Sequence, residues 1–129
     1  ESAFAQKIND ARRNHDRQPV QLDPQLSRVA QFHSWAMKEE ARLFHTPEDK
    51  LRERVTRWEI LGEAVGRGTE VGSLFQAFMD SPDHRDIFLY PKFNYVGVAT
   101  TYDDGVMWVT ILFEAFDDPG TTMDMPPTC

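Results

Sequence analysis

The stretch Tyr95-Val96-Gly97-Val98-Ala99-Thr100-Thr101-Tyr102-Asp103-Asp104-Gly105-Val106-Met107-Trp108-Val109-Thr110-Ile111-Leu112-Phe113-Glu114-Ala115 sets the architecture of this chain. Two runs of β-branched and aromatic residues, 95–102 and 106–115, flank Asp103-Asp104-Gly105. An Asp-Gly pair between such runs supplies the positive backbone angles of a tight turn, so the segment predicts a β-hairpin. Alternation is partial: Val96, Val98 and Thr100, then Met107, Val109, Ile111 and Phe113, leave apolar residues on both faces. A sheet that is apolar on both faces has to be covered on both, and helices are the expected cover.

The preceding sequence supplies those helices. Phe4, Ile8 and Ala11 fall at helical spacing and predict a first helix over about residues 2–15. Leu22-Asp23-Pro24 offers a capping aspartate followed by proline at the first helical position. A second helix follows with the stripe Leu26, Ala30, His33, Met37, Ala41 and Phe44, about five turns that deliver His45 at its end. Thr46-Pro47-Glu48-Asp49 reads as a capped start to a short amphipathic segment through Leu51, Val55 and Trp58. Ile60 to Gly66 is a strand or tight loop closed by glycines, and Thr69 opens a further helix with Val71, Leu74, Phe75, Phe78 and Met79 inward, broken at Asp80-Ser81-Pro82. Residues 1–116 form one domain in this reading, and Asp117-Asp118-Pro119-Gly120 and Pro126-Pro127 predict a flexible tail over 117–129.

Bulk composition narrows the function classes. Fourteen Lys plus Arg against 21 Asp plus Glu give a net charge of -7, which repels phosphate backbones and argues against nucleic acid as a partner. The mixed run from Lys50 to Arg57 reads as a solvated helix face. Cys129 is the single cysteine, so an intrachain disulfide is impossible and packing alone holds the fold. No apolar run reaches the ~20 residues of a membrane span. A first residue of Glu1 leaves a removed signal peptide or lipid-anchored leader open.

His45-Thr46-Pro47, Gly62-Glu63-Ala64 and Ser81-Pro82-Asp83-His84-Arg85 each stand at the edge of an apolar element, where a scaffold can hold them and water can reach them. Two imidazoles and a carboxylate can bind a divalent ion such as Zn²⁺ with a position left for water, or act without metal as an acid/base set. Another reading makes His45 and Glu63 a buried hydrogen-bonded pair that pins the second helix to the sheet edge, with His84 capping the loop after Pro82. His33, on the apolar stripe, reads as a satisfied core histidine, His15 as a surface residue, and Trp35, Trp58 and Trp108 as packing. Arg85 has Asp86 and Asp80 as candidate ion-pair partners. No Gly-x-Ser-x-Gly elbow occurs and Ser81 has no evident relay partner, so a nucleophilic mechanism is not supported.

The ordered set Asn9, Arg12, Leu22-Asp23, His33-Ser34, Met37, His45, Gly62-Glu63, Ser81-Pro82-Asp83-His84-Arg85, Tyr95-Val96-Gly97-Val98-Ala99 and Trp108-Val109-Thr110 resembles the CAP superfamily: the cysteine-rich secretory, antigen 5 and pathogenesis-related-1 proteins, also called SCP-like. The likeness is to its short, disulfide-free bacterial branch. It implies an α+β, three-layer α-β-α sandwich with a small, mainly antiparallel sheet, and secretion or residence in the cell envelope. By position it implies a ligand cleft of His45, Glu63 and His84, with Ser81 and Asp83 beside it. The second acid of related clefts is absent, leaving Asp80 or Asp83 as substitutes. Ala64 and Ile87 stand where that pattern has Asn, which predicts a drier cleft or a looser function.

The resulting expectation is a secreted or envelope-associated binding domain whose cleft takes a small apolar ligand, a lipid, a metal ion or a protein partner. Its competitor is a metal-dependent hydrolase of peptides or envelope polymers, with His45, His84 and Glu63 as metal ligands, zinc as the candidate cofactor and Glu63 as ligand or general base. A third reading is a structural spacer on a larger envelope protein.

Overall fold

A computed structural model describes residues 2–55, 60–115 and 127–128. The elements run α1 (Ser2–Asn14), β1 (Gln21–Leu22), α2 (Pro24–Glu40), α3 (Glu48–Arg54), β2 (Ile60–Gly68), α4 (Val71–Asp80), α5 (Pro82–Phe88), β3 (Tyr95–Asp103), β4 (Val106–Ala115) and β5 (Pro127–Thr128). The sheet has the order β1-β3-β4-β2-β5. Its centre is antiparallel and its two-residue outer strands are parallel to their neighbours.

The expected hairpin is present, with Asp103 opposite Val106 and a two-residue turn. Asp104 and Gly105 both take positive φ, 54° and 79°, as the tight hairpin turn demands. β2 is longer than the sequence suggests, because all nine of its residues pair with β4. Of the segment expected to be a flexible tail, Pro127–Thr128 lies along Leu61–Gly62 of β2. Trp58 and residues 116–126 lie outside the described residues.

Side-chain alternation along β4 separates the layers. Met107, Val109, Ile111 and Phe113 join a core with Phe4 and Ile8 of α1, Leu74 and Phe78 of α4, and Ile87 and Phe88 of α5. Leu112 points to the opposite face, among Leu26, Val29 and Ala30 of α2 and Leu51 of α3. Trp108 joins Met37 and Val65 on that same side. This is an α-β-α sandwich, each face of one sheet buried under helices.

α2 lies very close to the sheet. A Cβ on Gly97 would stand 2.3 Å from the Leu26 backbone, so only glycine admits the helix there. Farther along α2, the Ser34 hydroxyl donates to a sheet acceptor and is within 3.1 Å of the Ala99 carbonyl and 2.9 Å of Thr110 Oγ1. Asp23 caps α2 as expected, accepting the Leu26 N–H at 3.0 Å.

α2 ends sooner than its apolar stripe implies. Ala41 takes a left-handed conformation, φ 54°, and the N–H groups of Ala41 and Arg42 return to the carbonyls of Lys38 and Met37. That is a Schellman closure built on alanine in place of glycine. His45 therefore sits in the loop that follows, not at a helix end, and Ala41 is exposed instead of buried.

Candidate functional site

The loop 41–47 connects α2 to α3 and is held against the sheet by side chains at both of its ends. His33 is buried on α2, and its Nε2 lies 2.5 Å from the Phe44 carbonyl, with the Phe44 ring edge-on at 4.8 Å. A carbonyl only accepts, so Nε2 carries the proton and His33 is the satisfied core histidine its stripe position predicts.

Glu63, 2% exposed on β2, holds the other end. Its Oε1 accepts from His45 Nδ1 and from the Thr46 N–H, both at 2.8 Å, and its Oε2 accepts the Thr46 hydroxyl at 2.5 Å. A carboxylate removed from water needs such donors, since an unpaired buried charge is far costlier than a paired one. The arrangement fixes which ring nitrogen meets the carboxylate: Nδ1–H faces Glu63, on a side chain that is 40% exposed. Thr46 is not the helix cap its position before Pro47 predicts. α3 has Pro47 at its N-cap and no side-chain capping bond, because the Thr46 hydroxyl serves Glu63.

His84 belongs to α5, a two-turn helix that the Pro82 break conceals in the sequence. Its ring is edge-on to Phe78 at 5.0 Å. Burial first, and then the charge of His45, push its pKa below the usual histidine value of 6.5, with Asp83 opposing. His84 is thus within electrostatic reach of His45. Ser81 is the junction between α4 and α5, its carbonyl accepting the Arg85 N–H at 2.8 Å and its side chain making no capping bond. Asp83 is exposed in the first turn of α5, and Asp80 accepts from Gln76 at 2.9 Å.

The expectation of a drier cleft changes here. Ala64 and Ile87 do not dry a cleft; both are buried in the core between the sheet and α4 and α5, on the face opposite Glu63. As for the metal set, among the described residues no three His, Cys, Asp or Glu side chains lie together as a metal ion requires. Both Glu63 oxygens and His45 Nδ1 take part in hydrogen bonds with one another or with Thr46.

Arg12 is an anchor that periodicity alone does not reveal. It is fully buried and donates to the carbonyls of Gln18, Phe88, Tyr90 and Phe93 at 2.7 to 3.1 Å, which ties α1 to the α5–β3 connection. Burial and the neighbouring Arg17 lower its pKa to about 10, which leaves it charged at neutral pH. Two open cavities lie elsewhere on the surface, one of about 640 Å³ beside β1 and β3 and one of about 380 Å³ between α2 and α3; neither is lined by His45, Glu63 or His84. Among the described residues no helix is long and apolar enough to cross a membrane.

The family model of the cysteine-rich secretory proteins (CAP) matches residues 5–113. The chain is similar to the uncharacterized protein YkwD of Bacillus subtilis (strain 168), 27% identical over 118 residues, which are 83% of this chain and 46% of that protein. An outer surface protein of Borrelia burgdorferi has the same fold, with a TM-score of 0.82 at 17% identity over 90% of this chain and 92% of that one. An extracellular protein containing an SCP domain from Bacillus anthracis str. Ames superposes with a TM-score of 0.75 at 25% identity, over 90% of this chain and 41% of that one. The chain therefore spans less than half the length of either Bacillus relative.

Proposed function

Because the chain belongs to the cysteine-rich secretory protein (CAP) family, we propose that it is a secreted or cell-envelope binding domain whose recognition surface is the exposed imidazole of His45, with His84 nearby. Placement outside the cytoplasm is supported by the extracellular and outer-surface descriptions of its bacterial relatives. The observation that carries the binding reading is the commitment of Glu63. A general base or metal-ligating carboxylate needs a lone pair open to its target, whereas Glu63 is buried and its two oxygens accept three bonds from the loop that presents His45. Glu63 is then a positioning residue for His45. Burial of Ala64 and Ile87 turns the ligand preference from a small apolar molecule toward an envelope partner that meets an exposed imidazole.

The test has two arms. Calorimetric Zn²⁺ titration near pH 7.5, run on the wild type, His45→Ala and His84→Ala, is expected to show no one-to-one site that both substitutions abolish; such a site would overturn the reading in favour of the metal hydrolase. In co-sedimentation with bacterial cell envelopes, the wild type is expected to bind at least about tenfold more tightly than His45→Ala, ~1.4 kcal/mol. Equal retention of the two would contradict a recognition role for His45.

A further inference from the structure

We infer that the open edge of β3 is a docking site for an extended basic peptide, which adds to the sheet as a strand. β1 covers only the first two residues of this edge, pairing Gln21 with Tyr95 and Leu22 with Val96. The Asp23 N–H bonds the Val96 carbonyl at 2.9 Å, so the polar groups of Val96 face away from β4. Strand groups repeat every second residue, and the β3–β4 register is unbroken from Val96–Phe113 to Asp103–Val106. The N–H and C=O groups of Val98, Thr100 and Tyr102 therefore face the same way as those of Val96. Among the described residues no backbone bond outside the β3–β4 ladder reaches them. β1 leaves the edge because Pro24 starts α2.

A groove of about 640 Å³ runs along this free edge, between Leu22, Asp23, Pro24 and Ser27 on one side and Val98, Thr100 and Tyr102 on the other. Leu22 is 47% exposed and Tyr102 65%, which offers apolar contacts beside the unpaired backbone. Natural edges of this kind are usually blunted by lysine, proline or a bulge, and residues 98–102 contain none. Val98 and Ala99 are buried, so the accessible edge runs from Thr100 to Asp103, four residues at ~3.3 Å each, room for a short strand. Main-chain bonds would supply affinity and the groove would select alternate side chains.

Charge selects the occupant. The groove lining includes the Asp23 carboxylate and no lysine or arginine, Asp103 and Asp104 stand exposed at the far end, and the chain carries -7 overall. A second copy fits badly. Two-fold antiparallel pairing about Thr100 sets Asp103 opposite Gly97 and Asp104 opposite Val96, so each hairpin turn meets the β1 strand already lying there and crowds carboxylates against Asp23.

The probe is the acetylated, amidated heptapeptide Lys-Val-Lys-Val-Lys-Val-Lys, titrated into the uniformly ¹⁵N-labelled chain. Saturable binding is expected, with amide exchange at Thr100 and Tyr102 slowed at least about tenfold. A glutamate-for-lysine peptide and one N-methylated at alternate residues are each expected to bind at least about tenfold more weakly. Thr100→Pro removes an N–H that the β4 ladder does not use and should weaken binding similarly. If that variant fails to fold, the N-methylated peptide on the wild type decides alone. Absence of binding at ~1 mM peptide, indifference to N-methylation, or protection mapping to the His45 loop would each overturn the inference.

Discussion

The two faces of the sheet are built from different materials. One is mainly aromatic: Phe88 and Phe93 pack on Phe113 at centroid distances of 5.5 and 5.2 Å, and Phe78 on Phe88 at 5.3 Å. The other, under α2, has Gly97, Ala30 and Ala99 where the first has phenylalanines, and it buries His33, Ser34, Glu63 and Thr110. Large rings fill space without needing partners, so the aromatic face secures the fold. Small residues let α2 approach closely enough for polar side chains to span helix, loop and sheet, so the polar face positions Glu63 and His45, while His84 rests on Phe78 of the aromatic layer. Buried polar groups act in this way only when each has its partner.

That contrast makes separable predictions. On the aromatic face, Phe113→Ala should lower global stability by ~3–5 kcal/mol in denaturant unfolding while the His45 tautomer in the remaining folded chain is unchanged. A loss below ~1 kcal/mol would mean that this cluster is not the main support. On the polar face, Glu63→Ala removes all three acceptor bonds of the loop and should cost ~2–4 kcal/mol, with amide exchange rising chiefly at 42–47. Uniformly raised exchange would show that the loop is not a separate unit.

Acidification offers a smaller lever. The folded pKa of His84 lies below 6.5, so between these two values the unfolded chain binds more protons. Its contribution to stability is complete above about 6.5, declines as the pH drops, and levels once His84 is protonated in the folded chain as well. His84→Gln should flatten that part of a pH-dependent melting curve, and an unchanged slope would remove His84 from the account. The smallest expected effect is a gain. Ala41 occupies a left-handed position at the exposed end of α2, and Ala41→Gly should stabilise by ~0.5–1 kcal/mol, measured by denaturant unfolding.

The aromatic half is the more legible in sequence, for a physical reason. The hairpin depends on local features, an Asp-Gly turn and β-branched runs, and the inward residues of α4 follow its own periodicity. The polar half depends on bonds between distant residues. His45 and Glu63 can be named from sequence, but Thr46, which supplies two of the three Glu63 bonds, looks like a helix cap because nothing in its neighbours marks a carboxylate seventeen positions on. The helix stripe runs past Ala41 because termination there is enforced by the tethered loop, with no glycine to announce it. Arg12 is invisible as an anchor for a similar reason, since its acceptors are backbone carbonyls, three of them 76 to 81 residues away. α5 is hidden by Pro82, which ends one helix and is also favoured at the start of the next.

Glu63 holds the loop and orients His45 through three accepted hydrogen bonds. Histidine side-chain ¹⁵N NMR at about pH 7.5, before and after one equivalent of Zn²⁺, tests it most directly. The expected result is a hydrogen-bonded Nδ1–H on His45, slow to exchange, that persists when zinc is added while His84 responds independently if at all. Loss of that Nδ1–H together with a simultaneous shift of His84 would contradict it, because Glu63 would then have released His45 and the three groups would have converged on the metal.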